Sequence, residues 1–281
     1  MSDEPSARKI ASQLKGLDSS GVEVDEEQEA PRMAIDSPEE TDALAKMETL
    51  VQESGDADAI AADKATKLFC LRGRKFVPEA GAKVLSQLLA LKKELGLDGS
   101  MDDTTKDLLK ANLRTKKLLA TGQKDADGRM IICLRLRFHD PKTFKPIDMA
   151  RLMTTVVLST MKDPDAQRWG IVVVGDMSGI SLKNLDPGVP KMMMGKVFPA
   201  LPVRVGRMCI FNPPWIVGHI ILPILFALMS KKLRSRIALI KNPDPEKLLQ
   251  YVPKGALPAS LDGTLALDED AWAESMVSAL P

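Results

Sequence analysis

Few residues of this sequence have the types and spacing that catalysis needs. It contains two histidines, His139 and His219, and neither lies in a cluster with metal-ligand spacing. Asp176 follows an apolar run, where a carboxylate could serve an α/β enzyme, but no partner acid, base or metal ligand accompanies it. Ser178 lies one position too late for a G-x-S-x-G motif, and no phosphate-binding glycine motif occurs. We therefore expect no enzyme, no metal and no cofactor; an enzyme alternative would depend on Asp176 or His139.

Clustered basic residues suggest a different chemistry, the binding of anions. Lys232, Arg234 and Arg236 alternate with other residues, so in an extended segment all three side chains point the same way. Arg204 and Arg207 lie upstream, in the sequence ALPVRVGR. One interpretation is a solvated face. The other is a site for anionic lipid headgroups, where each basic residue contributes about 1 kcal/mol to the free energy of membrane binding.

The longest apolar run lies between these two basic groups. It extends from Trp215 to Met229 without an Asp, Glu, Lys or Arg, and no polar face can be separated from it. A transmembrane helix would need roughly 20 apolar residues, and this run is shorter and interrupted by Gly218 and Pro223. The other two alternatives are a buried core helix and a mobile lid over an apolar ligand.

Composition narrows the class of protein. The chain has 281 residues and a formal net charge of +1, so no global charge favours binding to nucleic acid. Its three cysteines have no CxxC spacing, which fits a reducing compartment and argues against disulfides or zinc. The amino terminus has no apolar signal segment. We expect a cytoplasmic, peripherally membrane-associated monomer.

Helix signals precede strand signals along the chain. Residues 1–36 are acidic and predict a disordered tail. Helical spacing and capping residues predict a helical lobe over 37–100. Predicted helices are Ser37 to Glu53, Asp58 to Phe76, Pro78 to Leu95, Thr104 to Leu119, Asp148 to Met161, Val189 to Val197 and Pro245 to Tyr251. Predicted strands are Arg129 to Leu136, Gly170 to Asp176, Arg207 to Asn212 and Ser235 to Ile240.

The alternation of helices and strands after Thr104 predicts the fold class. It indicates an α/β protein in which a small helical bundle precedes a mostly parallel sheet with helical crossovers. We expect the α/β lobe to cover 104–265 and a C-terminal tail to cover 266–281.

Motifs in order along residues 58–263 give the chain a family resemblance. They are LFCLRGRKF at 68–76, DGRMI at 127–131 with DPKTF at 140–144, GIVVVGDMSGI at 170–180, FP at 198–199 with IFNPP at 210–214, and LP at 257–258 with Gly263. Together they resemble the CRAL-TRIO lipid-binding domain, closest to the branch of tocopherol and retinaldehyde transfer proteins. The family has alanine where this chain has Gly73.

The resemblance implies one enclosed hydrophobic ligand, a small molecule or lipid, beneath an apolar lid helix that opens at membranes. It also implies that a basic patch on the protein binds phosphoinositides at an anionic membrane surface. Carried over, that patch falls on Arg204, Lys232, Arg234 and Arg236, with a further arginine at Arg74 or its neighbour Arg72. Gly206 stands where the branch has a second basic residue.

Our first hypothesis is thus a soluble lipid-binding and transfer protein. Its predicted pocket walls are Ile132, Leu134, Leu136, Val172, Val174, Trp215, Ile216, Ile220, Leu222 and Leu225. The alternative is a lipid-sensing scaffold or regulatory module that does not transfer lipid.

Overall fold

The computed structural model describes residues 34–215, 222, 226, 234–240 and 244–280. The predicted disordered tail therefore lies outside the described residues, apart from its last three positions. Most of the apolar run that predicts a lid helix also lies outside them. Within the described ranges, helices come first and a sheet follows, as predicted.

Four helices form the N-terminal lobe: α1 (Pro38–Ser54), α2 (Ala57–Ala61), α3 (Lys64–Gly73) and α4 (Pro78–Leu95). Ser37 caps α1 as predicted, since its hydroxyl accepts a hydrogen bond from the Glu40 amide at 3.1 Å. The single helix predicted from Asp58 to Phe76 is instead two helices. A second helix starts after Asp63, whose carboxylate caps α3 by accepting a hydrogen bond from the Thr66 amide at 2.7 Å.

The helix predicted from Thr104 to Leu119 ends early, and a strand follows it. Helix α5 (Asp103–Arg114) is succeeded by Lys116 in a left-handed conformation, with φ of 54°. Strand β1 (Leu118–Lys124) then pairs antiparallel with the next strand. The prediction was wrong here because the leucines of β1 continue the helical spacing of α5, and only the tertiary pairing makes them a strand.

The described strands form one sheet in the order β1-β2-β3-β4-β5. Strands β2 (Met130–Arg135), β3 (Ile171–Asp176), β4 (Val205–Phe211) and β5 (Ile237–Ile240) are mutually parallel, which confirms the mostly parallel sheet. Parallel strands all begin at one edge of the sheet, here called the amino edge, and end at the other, the carboxyl edge.

Helical segments connect the parallel strands. Between β2 and β3 lie α6 (Pro146–Thr160) and α7 (Pro164–Trp169). Between β3 and β4 lie α8 (Gly188–Met192), a π-helical turn (Met193–Val197) and α9 (Phe198–Ala200). The connection from β4 to β5 contains the apolar run, so that run leads from the carboxyl edge to the amino edge. The described residues also contain four 3₁₀ turns: Leu136–Phe138, Leu182–Asn184, Lys254–Ala256 and Ala259–Leu261.

The segment predicted to be a C-terminal tail is folded. After α10 (Pro245–Leu249), residues 266–281 contain α11 (Glu269–Ser278). Three acidic side chains of α11 pair with basic side chains near β1 and β2 at N–O distances of 2.7 or 2.8 Å. The pairs are Glu269 with Arg135, Asp270 with Lys116, and Glu274 with Arg114. No helix was predicted here from the sequence, although aspartate, as at Asp268, is a residue type that favours the N-cap position.

A buried ion pair lies within the helical lobe, and its arginine also hydrogen-bonds to a helix of the α/β lobe. Arg72 on α3 donates to both carboxylate oxygens of Glu40 on α1, at 2.7 and 2.9 Å, and to Oε1 of Gln167 on α7 at 3.1 Å. The side chains of Arg72 and Glu40 are only 5% and 3% exposed. Burial disfavours the charged carboxylate, but the hydrogen bond and charge of Arg72 outweigh it, so the pKa of Glu40 lies below its usual value.

The residue after this arginine allows a close backbone approach. A Cβ atom on Gly73 would lie 1.8 Å from the carbonyl oxygen of Pro202. The family motif has alanine at this position. This chain therefore has a smaller residue at a point where α3 touches the segment that leads into β4.

We expect Gly73→Ala to destabilise the protein by about 1–3 kcal/mol, because the backbone of Pro202 would have to move. Urea unfolding measures the change in midpoint at constant slope. Gly255→Ala is the matched control, since no heavy atom lies within 4 Å of the Cβ position there. Equal stability of Gly73→Ala and wild type would contradict the close approach.

Candidate functional site

An apolar cavity lies on one face of the sheet, between the strands and the crossover helices. Its empty volume is about 1230 Å³, counting the part that opens to solvent. Leu134 of β2, Val173 and Gly175 of β3, and Met208 and Ile210 of β4 form its floor. These side chains share a face because parallel register places Leu134 opposite Gly175, and Gly175 opposite Ile210. The size and lining are those of a site for an apolar ligand.

Methionines supply much of the cavity wall. Their unbranched, polarisable side chains adapt to ligands of irregular shape. Six of them line the cavity: Met149, Met153, Met177, Met193, Met194 and Met208. The sequence indicates that methionine is abundant, with 15 in the chain, but it does not show that these six converge from four separate segments.

The structure places three of the predicted pocket residues in the cavity wall: Leu134, Leu136 and Leu222. Leu222 belongs to the apolar run and is 1% exposed. Ile132 lies on the same face of β2, but it is buried in the core beside the cavity.

The two valines predicted from β3 lie elsewhere. Val172 and Val174 are on the opposite face of the sheet, packed in a second core with Leu248 and Leu257. The residues of β3 that face the cavity are Val173 and Gly175. The alternation along β3 was predicted, but the choice of face depends on its register with β2, which places Val173 opposite Ile132.

The remaining predicted pocket residues belong to the apolar run. Trp215 is exposed and does not line the cavity among the described residues. Ile216, Ile220 and Leu225 lie outside the described residues.

His139 is a polar wall residue whose two ring nitrogens have no hydrogen-bond partner among the described residues. It is 2% exposed, and neither Nδ1 nor Nε2 is hydrogen-bonded within the described structure. Burial, assisted by the positive charge of Lys117, lowers the pKa of His139 to about 4. The imidazole is therefore neutral near pH 7. Nothing in the sequence indicates that this histidine borders a cavity.

Lys117 is a second buried base without a hydrogen-bond partner in the described structure. It is 0% exposed, and its Nζ atom lies 3.8 Å from the centroid of the Phe144 ring. Burial lowers the pKa of Lys117 to about 7, against the opposing charges of Asp140 and Asp148. No sequence signal distinguishes this lysine from its neighbours.

Asp176 and Ser178, two of the groups considered for catalysis, are engaged in structural contacts. The carboxylate of Asp176 accepts hydrogen bonds from Arg137 and from the Ser178 amide, the latter at 2.9 Å. The Ser178 hydroxyl accepts from Nδ2 of Asn212 at 2.8 Å. His219 lies outside the described residues, and no metal-binding group of three or more His, Cys, Asp or Glu occurs in the described part of the chain.

Three predicted phosphoinositide-binding arginines converge on the segment 199–205. Arg74 donates to the carbonyl oxygens of Pro199 and Leu201, at 3.0 and 3.2 Å. Arg236 donates to that of Val205 at 2.7 Å. Arg204 lies in the segment itself and donates to the carbonyl of Arg168. Each of these contacts fixes a guanidinium near the amino edge.

Only some of the other basic residues considered for anion binding lie within the described residues. Arg234 is exposed just before β5, and Lys232 lies outside the described residues. Arg207 stacks on Tyr251, with its guanidinium carbon 4.4 Å from the ring centroid. At Gly206, where the branch has a basic residue, the side chain of Arg129 covers the glycine.

Exposed apolar side chains mark the opposite edge of the sheet. Phe138, Leu182 and Trp215 follow β2, β3 and β4 respectively, and all three are exposed. Because the strands are parallel, these residues lie at the carboxyl edge.

A helical lobe, a mostly parallel sheet and an apolar cavity on one sheet face define an α/β protein that can enclose an apolar ligand. The CRAL/TRIO domain family profile matches residues 113–263, which is more than half of the chain. The chain belongs to this lipid-binding family, which confirms the family predicted from its motifs; the branch of tocopherol and retinaldehyde transfer proteins stays a prediction.

Known proteins with similar sequences share only part of their length with this chain. Clavesin-1 of Rattus norvegicus is 26% identical over 225 residues, covering 76% of this chain and 61% of that protein. Human tyrosine-protein phosphatase non-receptor type 9 is 23% identical over 164 residues, covering 58% of this chain and 27% of the phosphatase. The similarity to the phosphatase thus leaves most of that protein unmatched.

A solved structure shows the same fold. The crystal structure of Sfh5 superposes with a TM-score of 0.53 at 13% identity, covering 88% of this chain and 98% of that chain. Among the described helices of this protein, none combines the length and apolar character needed to cross a bilayer.

We expect Lys117→Met to stabilise the protein at neutral and acidic pH. The folded pKa of Lys117, about 7, lies below the usual lysine pKa of 10.5, so between these values the unfolded chain binds more protons. Wild-type stability should therefore rise with pH across that window, by at most about 1.4 kcal/mol per unit. The advantage of the variant should be full below pH 7 and vanish near pH 10.5.

Unfolding midpoints measured from pH 6 to pH 10 test this, with the exposed Lys254→Met as the control. A constant difference between Lys117→Met and wild type across that range would contradict the lowered pKa.

Proposed function

We propose that this protein encloses one hydrophobic ligand in its cavity and exchanges it at phosphoinositide-containing membranes. The cavity carries the proposal. Empty apolar volume is destabilising, because the atoms that line it have no neighbours to contact. A bound apolar molecule restores those contacts, so a cavity of this size and lining favours occupancy.

The apolar run is proposed as the cover of the cavity. Leu222 lies in the cavity wall and packs with Met177, Ile210 and Ile237. The run also joins the carboxyl edge, where Trp215 is exposed, to the amino edge, where Arg234 is exposed. A cover that opened in water would expose its apolar side chains, whereas at a membrane it would exchange one apolar environment for another.

The basic residues at the amino edge are proposed to bind the membrane. Arg74 and Arg236 hydrogen-bond to backbone carbonyls of the segment 199–205, Arg204 lies in that segment, and Arg234 precedes Arg236 by two residues in the sequence. Fixed guanidinium groups suit phosphate recognition because they lose little freedom on binding. Their position near the cover would couple docking to ligand exchange.

The ligand is tested by extracting the purified protein, prepared without detergent, and analysing the extract by mass spectrometry. We expect one apolar molecule per chain. Met194→Trp, which fills the cavity wall, should reduce the extracted amount severalfold, because the larger ring occupies the ligand's space. Leu182→Trp, at an exposed position away from the cavity, should leave it unchanged.

An empty extract, followed by no binding from a panel of lipids, would overturn the carrier proposal. Equal extracts from Met194→Trp and wild type would show that the ligand lies elsewhere.

Membrane docking is tested by flotation with vesicles that contain phosphoinositide, and with vesicles matched in charge by phosphatidylserine. Reversing one charge at Arg234 removes two units of attraction, about 2 kcal/mol, so Arg234→Glu should bind roughly 30-fold more weakly. Lys254→Glu makes the same charge change on an exposed residue of another segment and should bind like wild type.

Arg234→Glu is preferable to a change at Arg236, whose side chain also holds the Val205 carbonyl. Undiminished binding of Arg234→Glu would remove this residue from the docking surface. Equal binding to both kinds of vesicle would leave docking without phosphoinositide preference.

A further inference from the structure

We infer that the acidic segment 23–29 binds the basic residues at the amino edge of the same chain, and that a phosphoinositide headgroup displaces it. The contact itself requires no membrane. Its consequence, a weaker affinity for membranes while the segment is bound, rests on the proposed function, because it assumes that the same basic residues bind phosphoinositide.

The segment has the charge pattern of a binding element. Five of its seven residues carry a carboxylate and none is basic: Glu23, Asp25, Glu26, Glu27 and Glu29. Blocks of like charge often bind a surface of the opposite charge. The segment lies outside the described residues, so the surface within its reach is the one that surrounds the first described residues.

The described chain begins at a fixed point on the helical lobe. The amide of Asp36 donates to Oε2 of Glu40 at 2.8 Å, and Ile35 is half-buried. Glu40 in turn forms the buried ion pair with Arg72. The segment 23–29 is therefore tethered beside Arg72, at the end of α3.

A short series of contacts leads from this point to the basic residues. Arg72 also donates to Oε1 of Gln167 at 3.1 Å. The next residue, Arg168, accepts at its carbonyl oxygen a hydrogen bond from the side chain of Arg204. Only the side chains of Glu40, Arg72 and Gln167 lie along the path from Asp36 to this pair of arginines.

The tether is long enough for the segment to reach these cations. The chain from Glu29 to Asp36 spans at most about 25 Å when extended, which covers a path of three side chains. Arg74 and the exposed Lys75 follow Arg72 at the same end of α3 and add two further positive charges. A short tether gives an effective concentration in the millimolar range, so individually weak ion pairs hold the segment in place.

The segment and a phosphoinositide headgroup would compete for the same groups. Carboxylate and phosphate oxygens both accept hydrogen bonds from guanidinium groups, often in pairs. The phosphates of a headgroup concentrate more charge in one place and displace the segment. A surface of zwitterionic lipid offers no such competitor, and there the segment stays bound.

Zero-length crosslinking with a carbodiimide tests the contact in the full chain without lipid. The reagent joins a carboxylate to an amine that touches it, so mass spectrometry should find Lys75 joined to the segment 23–29. Lys183, exposed at the carboxyl edge, should give no such product. The Lys75 product should disappear at about 0.5 M salt, where exposed ion pairs are screened, and on addition of a short-chain phosphatidylinositol bisphosphate.

Two results would overturn the contact. One is the absence of the Lys75 product while the reagent still joins Lys196 to Glu94, an ion pair of the described structure. The other is a product that joins two chains, which a mixture of unlabelled and ¹⁵N-labelled protein reveals by its mass. Products within one chain support the inference.

Vesicle flotation tests the consequence for membrane binding. The triple variant Glu26→Gln, Glu27→Gln and Glu29→Gln should bind phosphoinositide vesicles roughly fivefold more tightly, because fewer ion pairs compete with the headgroup. A control makes the same change of net charge at exposed acidic residues of other segments: Glu53→Gln, Asp103→Asn and Asp262→Asn.

An equal gain in both triple variants would overturn the competition, since it would show an effect of net charge alone. Unchanged binding of the first variant would overturn it as well. If wild type and both variants all fail to bind phosphoinositide vesicles, the proposed docking fails, and the Lys75 crosslink still decides whether the contact exists.

Discussion

The end of helix α3 holds the two parts of the fold together. Three consecutive residues act there: Arg72 ties α1 to α7, Gly73 admits the backbone of Pro202, and Arg74 binds two carbonyls of the next segment. That segment leaves the cavity wall at Phe198 and enters β4 at Val205. The position of the helical lobe is therefore linked directly to one wall of the cavity and to the first basic residue of the amino edge.

The positions of the cavity walls depend on these contacts between the helical lobe and the α/β lobe more than on any single polar interaction within the cavity. Floor residues of three parallel strands point into the cavity because register aligns them, and the methionines complete the wall from helices on the same face. The opposite face of the sheet is a closed core, reinforced by α10 and α11. An apolar cavity can persist on one face because the other face contributes well-packed apolar burial.

Much of the fold could be predicted from sequence, since capping residues, β-branched runs and their order are local signals. The features that were predicted wrongly, or not at all, share one cause: they depend on tertiary contacts rather than on local sequence. Strand β1 was predicted as helix because its leucines fit helical spacing, and Val172 was assigned to the cavity because alternation does not reveal which face is which. His139 and Lys117 carry no local signal at all, because what distinguishes them is burial together with side-chain nitrogens that have no hydrogen-bond partner in the described part of the chain.

The positions of two exposed side chains, Trp215 and Arg234, constrain how the protein could bind a membrane. Trp215 and Arg234 lie at opposite edges of the sheet, and the apolar run connects them. Strand β5 begins opposite Met208 and β4 ends at Phe211, so the points where the chain leaves β4 and enters β5 are roughly 10 Å apart along the strands at 3.3 Å per residue. A membrane contact that includes both ends must then extend at least that far along the strands. Since Leu222 of the run lies in the cavity wall, that orientation presents the cavity face to the bilayer, where a departing apolar ligand would not cross water.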